Sequence, residues 1–306
     1  SGTNTYAGTT TVSAGTLAIT NAAGLGTTAG ATTVASGATL DLQGVLIGAE
    51  ALTLNGPTAI LTSSGTSSLT GNVTLNGGGT VSGGGTLTLG GTVGGTGTLA
   101  INKSSGALTL PGALTLGGLT ANAAGYNIAM LGGGTIGGAT AFNNTGTLQI
   151  GDAAGDTTTF TGGVTATAPS SKSLGGTIAT TASPVSFGVS ATTLNSNTTV
   201  NSGLGDVTFN ALSGANSLTV NSAGVTTFGG TVSITSLTTD APGSTAINGG
   251  TVTTTGAQAY NDAVTLGAAT TLTGVGNSFA STVNGAQTLS IVDSGTTTFG
   301  GAVGGT

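Results

Sequence analysis

The chain has 306 residues, 60 of them Gly, but only eight Asp or Glu and two Lys, and it lacks Arg, His, Cys and Trp. A net charge of −6 and a pI of about 4.1 leave nothing to neutralise phosphates or lipid headgroups in number, which excludes nucleic acid and membrane-surface partners. With no His to activate its many Ser hydroxyls and no Cys, the chain is expected to be no enzyme and to hold no cofactor or metal.

Charged residues make up 3% of the chain, against roughly a quarter in ordinary soluble domains, so solubility has to come from Thr, Ser and Asn. Disordered segments are poor in apolar residues and rich in charge; this chain is 37% hydrophobic with a mean hydropathy of +0.37, and it is expected to fold. Gly follows no three-residue period and there are five Pro, which excludes collagen. No apolar run approaches the roughly 18 residues of a membrane span, so insertion of this segment is not expected. The missing Cys fits a chain that crosses a bacterial envelope unfolded, and fits equally a low-complexity repeat that simply lacks it.

Along the chain, short phrases with two apolar positions separated by one residue recur: TLAI from Thr16, ATLDL from Ala38, TLTL from Thr86 and TLAI from Thr98. This is the alternation of a strand with one buried face, and Gly, Asn and Ser separate the phrases. Apolar pairs start at Leu87, Leu99, Leu108 and Leu114, one strand and turn per six to twelve residues. The nearest thing to a helical pattern, residues 120–131, is interrupted at Gly125 and closed by Gly132 to Gly134.

In the second half TTTFTGGV, VTTFGGTV and TTTFGGAV share one frame, marked by Phe160, Phe228 and Phe299 at separations of 68 and 71 residues. Flanking positions follow: Leu194 with Leu266, Val200 with Leu272, Leu218 with Leu289. A repeat of this length made only of short strands is expected to hold about three coils of about 22 residues each. The expected fold is all-β, a parallel β-solenoid on the order of 14 coils. A β-sandwich is the runner-up, since Asn55-Gly56, Asn76-Gly77 and Asn284-Gly285 are hairpin signals. Ser1 opens inside a repeat phrase and TTTFGGAVGGT closes inside another, so neighbouring sequence or another copy is expected to continue the stack through the solenoid ends.

The phrases NTYAGTTTVSAGTLAI (residues 4–19), ATTVASGATLDLQG (31–44), GAEALTLNG (48–56) and INKSSGALTLPG (101–112) follow one another in order. On them, residues 1–111 resemble the autotransporter-associated β-strand repeat of bacterial passenger domains. Residues 112–306 are similar to the Thr/Gly-rich repeats of large filamentous-haemagglutinin-like exoproteins. The resemblance implies a right-handed parallel β-helix, extracellular at a Gram-negative bacterial cell surface, serving as adhesin, stalk or matrix component. Its partners would be its own or neighbouring repeats and a host or matrix glycan or protein. It carries over no catalytic residue.

Candidate sites are weighed against structural roles. Gly132, Gly134 and Gly137 stand in a GxGxxG frame, but GATAFNN follows where a nucleotide fold needs a helix. Asp152 and Asp156 could be a Ca²⁺ loop or an acid/base pair, yet a Ca²⁺ site needs six or more oxygens, and a solvated turn is expected. Asp41, Glu50, Asp206, Asp240, Asp262 and Asp293 lie far apart in sequence, and Lys103 and Lys172 are expected to be structural; carbohydrate cleavage by these groups is the third reading. Phe160, Phe187, Phe209, Phe228, Phe279, Phe299 and Tyr260 are expected to stack inside at repeat-equivalent positions, not to form an exposed sugar ladder. The Thr runs 9–11, 157–159, 253–255 and 296–298 support the alternative of a surface-binding module, for ice or glycan, on a Thr-rich face.

Overall fold

A computed structural model describes residues 2–304, and the regular structure of these residues is β-strand throughout, without a helix. The chain divides between Gln149 and Ile150 into two compact units, each a parallel β-solenoid. In the first unit the coils stack strands on three faces, the third beginning with the second coil. Face 1 stacks Thr10–Val12, Thr32–Val34, Leu52–Asn55 and Val73–Asn76, then the beginnings of Val93–Lys103 and Leu114–Ala121, then Gly134–Ile136. Face 2 runs from Thr16–Ile19 through Thr39–Gln43, Ile60–Ser64 and Gly79–Gly83 to Thr140–Phe142. Face 3 runs from Leu46–Ile47 through Thr66–Leu69, Thr86–Leu89 and Ala107–Leu110 to Asn127–Met130.

The second unit has faces 4, 5 and 6. Face 4 stacks Thr157–Phe160, the ends of Ser171–Thr180 and Thr192–Gly203, then Ser217–Ser222, Ser236–Thr239, Gln258–Tyr260, Asn277–Phe279 and Thr298–Phe299. Face 5 runs from Val164–Thr165 and Val185–Phe187 to Val283–Asn284, and face 6 from the beginning of Ser171–Thr180 to Leu289–Asp293.

Alternation decides which side chains enter the core. In Thr86–Leu89 the two Leu are buried while Thr86 and Thr88 stay half-exposed. Stacking then sets each Leu above another: Leu40 on Leu61, Leu87 on Leu108 and Leu218 on Leu237. A buried side chain of this size stabilises by about 1.5–3 kcal/mol relative to an exposed one, and here the gain recurs at each coil.

Register partners lie 19 residues apart at Val220–Thr239, 20 at Val34–Leu54 and Val200–Val220, 21 at Leu87–Leu108 and 23 at Leu17–Leu40, so the coil is mostly shorter than 22 residues. The seventy-residue repeat is one of sequence phrase and not of stacked position. Separations of 68 and 71 are not whole numbers of such coils, and the three marker rings do not superpose. Phe160 sits opposite Thr180 on face 4, Phe228 opposite Phe209 and Ile247 on face 5, and Phe299 opposite Phe279 on face 4. The rings stack with other partners: Phe187, Phe209 and Phe228 at centroid spacings of 5.8 and 6.1 Å, and Tyr260, Phe279 and Phe299 at 5.1 and 4.9 Å.

The sandwich reading fails because the strand pairings among the described residues are parallel. Asn55-Gly56 and Asn76-Gly77 do not turn hairpins; they occupy successive coils, and Asn76 Nδ2 donates to Asn55 Oδ1 at 2.9 Å.

Close stacking at the corners accounts for part of the glycine content. A Cβ on Gly71 would lie 2.0 Å from Glu50 O, one on Gly91 2.4 Å from Gly71 O, and one on Gly112 2.1 Å from Gly91 O. Backbone rests on backbone at this corner, with no room for a methyl group. We expect Gly112→Ala to cost about 1–3 kcal/mol through overpacking, and Phe209→Ala about 3–5 kcal/mol through loss of a stacked core ring. Urea denaturation monitored by circular dichroism measures both.

Candidate functional site

The residues with chemical potential are spent mainly on holding coils together. Gly132, Gly134 and Gly137 each press on the preceding coil: Cβ atoms there would lie 2.4 Å from Gly112 C, 2.0 Å from Leu114 O and 2.5 Å from Gly117 O. Asp156 Oδ2 accepts the backbone N–H groups of Asp152 and Ala153, both at 2.9 Å, which closes the turn and holds its carboxyl below the usual range. Asp206 Oδ1 accepts Val225 N–H at 2.8 Å from the following coil. Asp293 accepts the Thr297 hydroxyl at 2.6 Å and the N–H groups of Gly276, Asn277 and Gly295 at 2.7, 3.0 and 2.8 Å, and these bonds, the Thr297 one foremost, favour its charged form. Asp41 Oδ2 accepts Gln43 Nε2 at 2.7 Å. Among the described residues, no three His, Cys, Asp or Glu side chains gather as a metal site.

Among the described residues, four acidic or basic side chains are inside. Sequence reasoning expected structural lysines but had no signal for their complete burial. Lys103 reaches past Gly83, its register partner, and its Nζ lies 3.5 Å from Ser63 Oγ, two coils away. Lys172 Nζ contacts Ser190 Oγ, whose hydroxyl donates to Pro169 O at 2.5 Å. Burial lowers the pKa of both amines, that of Lys172 to about 8. Glu50 accepts the Thr32 hydroxyl at 2.7 Å, and burial raises its pKa. Asp262 accepts the hydroxyls of Thr245 and Thr239 at 2.9 Å; burial is the main cause of its raised pKa, with the charge of Asp240 adding to it.

The outward faces carry the groups left for recognition. Two of the four Thr runs turn their middle members inward, Thr158 and Thr254, which are buried. Instead single Thr from successive coils line up. On face 1, Thr11, Thr33, Thr53 and Thr74 stand in register, Gly94 follows, and Thr115 and Thr135 continue.

On face 4 three adjoining strands build a broader polar patch. Thr199, Thr219 and Thr238 form its middle row, in register. Ser217 and Ser236 lie on one side, Ser236 Oγ donating to Ser217 Oγ at 2.8 Å, and Asn197 Oδ1 accepts Ser217 N–H at 3.0 Å. Asn201 and Asn221 pair on the other side, Asn221 Nδ2 donating to Asn201 Oδ1 at 2.7 Å. Asp240 follows the Val220–Thr239 pair and accepts Ser222 N–H through Oδ1 at 2.9 Å. Along this edge runs a groove of about 460 Å³ lined by Asn201, Asn221, Asp240, Leu204, Pro242 and Ala182 among others. Leu204 is 73% exposed, and Ala182 has a φ of 53°, the left-handed region that favours Gly. Sequence reasoning missed this patch because its members lie about twenty residues apart.

No known protein family, curated protein or solved structure matches the chain.

The buried charges predict how stability follows pH. The unfolded chain holds the Lys172 proton to about pH 10.4, whereas the folded chain releases it near 8. Between these values the unfolded state binds more protons, so this group makes stability rise with pH, and its full cost is felt below 8. Lys172→Met should therefore stabilise at pH 7 by up to roughly 3 kcal/mol, with the gain gone by about pH 11. Asp262 has the opposite sign: its raised folded pKa gives a contribution present below the unfolded value of about 3.9 and lost as pH rises through the folded one. Asp262→Asn should raise the melting temperature at pH 7 but not at pH 3. Thermal melts of both variants across pH check the two signs.

Proposed function

We propose that the chain is a structural or adhesive segment of a secreted bacterial cell-surface fibre, displayed outside the cell and continued by neighbouring repeats or further copies. The observation that carries this reading is the coil-on-coil stacking of parallel strands in both units. Apolar residues fill the interior, glycines let corners touch, and most of the carboxylates, Glu50, Asp206, Asp240, Asp262 and Asp293, brace one coil against another. An array of parallel strands bonded along the stacking direction resists local opening, because a coil can leave only by breaking bonds to both neighbours. Such a module suits a stalk that has to persist where proteases are present. Autotransporter passengers and filamentous-haemagglutinin-like exoproteins, which the repeat phrases resemble, serve in this way.

The second reading, a surface-binding module for ice or glycan, is favoured by one specific observation, the outward Thr rows and the polar patch of face 4. The two readings are compatible, since a stiff segment can also present a binding face.

Two measurements test the first reading. Digestion with a broad-specificity protease should leave the chain largely intact for hours under native conditions, and negative-stain imaging of the intact protein should reveal filaments or spikes. Rapid cleavage throughout the chain, or compact particles only, would count against it.

A further inference from the structure

The groove at the edge of face 4 has the composition of a carbohydrate subsite. One wall is a row of amide and carboxylate groups, Asn201, Asn221 and Asp240, held in place by the Asn221–Asn201 bond and by Ser222 N–H on Asp240. The other wall is apolar, with Leu204 and Pro242 exposed at the corners that leave the face. Amides donate and accept, and a carboxylate offers about four lone-pair sites, of which one is used here. Sugar hydroxyls are donors and acceptors at once, and the C–H faces of sugar rings need an apolar surface. The row repeats at the strand spacing of about 4.8 Å, close to the advance per ring of an extended pyranose chain, so successive rings meet successive coils.

Charge narrows the class. Both lysines are buried, so the folded surface presents no cationic side chain among the described residues, while Asp240 lines the groove. A sulfated, sialylated or uronic-acid glycan would bring anions to carboxylates with nothing to offset them. A second copy of the chain would bring the same carboxylates. A flat ice plane would be held off by the Leu204–Pro242 ridge. We propose that this groove binds a neutral, extended polysaccharide, with Asn201, Asn221 and Asp240 holding ring hydroxyls and Leu204 and Pro242 packing against ring faces. This inference rests on the adhesive reading above and assigns it a ligand class and a site.

The test is retention of the full chain on immobilised neutral glucans, mannans and galactans beside heparin, sialylated glycans and a Lys-rich peptide. Asn221→Ala, Asp240→Asn and Leu204→Ser are compared with Thr88→Lys, on a face of the other unit, as control. Unchanged circular dichroism and melting show that the substitutions leave the fold intact. Binding to at least one neutral polysaccharide, weakened about ten-fold by each groove variant and untouched by the control, is the expected result. No binding to any neutral polysaccharide, equal binding by the groove variants, or preference for the anionic glycans or the peptide would overturn the site. Failure here with protease resistance and filaments retained leaves the structural reading standing; loss of those as well removes both.

Discussion

Within each unit the strands are hydrogen-bonded to strands about one coil away, on both sides except at the ends of the stacks, and this parallel register is the constraint from which the remaining features follow. It places each side chain over its register partner in the next coil, which faces the same way. Apolar positions therefore become continuous ladders, and aromatic rings lie nearly parallel, at 9° for Phe209 on Phe228 and 7° for Phe279 on Phe299. It also brings corner backbone against corner backbone, where Gly91 and Gly112 can rest on one another and an alanine could not.

The same register explains how so few charges are used. A buried carboxyl is tolerated where hydroxyls from adjoining coils converge on it, as Thr239 and Thr245 do on Asp262. A buried amine is tolerated where the coil beside it leaves space, as Gly83 does for Lys103. Neither arrangement is a paired ion. Such groups therefore oppose folding by their desolvation, and stacking of the apolar ladders has to exceed that cost. Where sequence departs from the ladder, orphans remain: both polar atoms of the Asn277 side chain are buried without a hydrogen-bond partner.

Local features were legible in the sequence and long-range ones were not. TLTL at 86–89 announces its inward Leu pair, and the phenylalanines are as internal as their size requires, apart from Phe299 at 40% exposure. Asn-Gly pairs read equally well as hairpins or corners, because the positive φ that Gly supplies at residues 56 and 77 serves both. The coil length was obscured by its variation, and the spacing of Phe160, Phe228 and Phe299 reflects likeness of phrase without likeness of position. The face 4 patch is the extreme case. Asn197, Ser217 and Ser236 carry no common motif, and only the register makes neighbours of them.

The burial of both lysines reaches beyond stability. With no arginine in the chain, Lys103 and Lys172 are the only peptide positions that trypsin can recognise, and each is sealed within a coil. The folded chain is thus invisible to that enzyme, and a tryptic cut at either position reports that the surrounding coil has opened. The protein carries, in two residues, its own indicator of local unfolding: one in each unit, silent until the ladder around it comes apart.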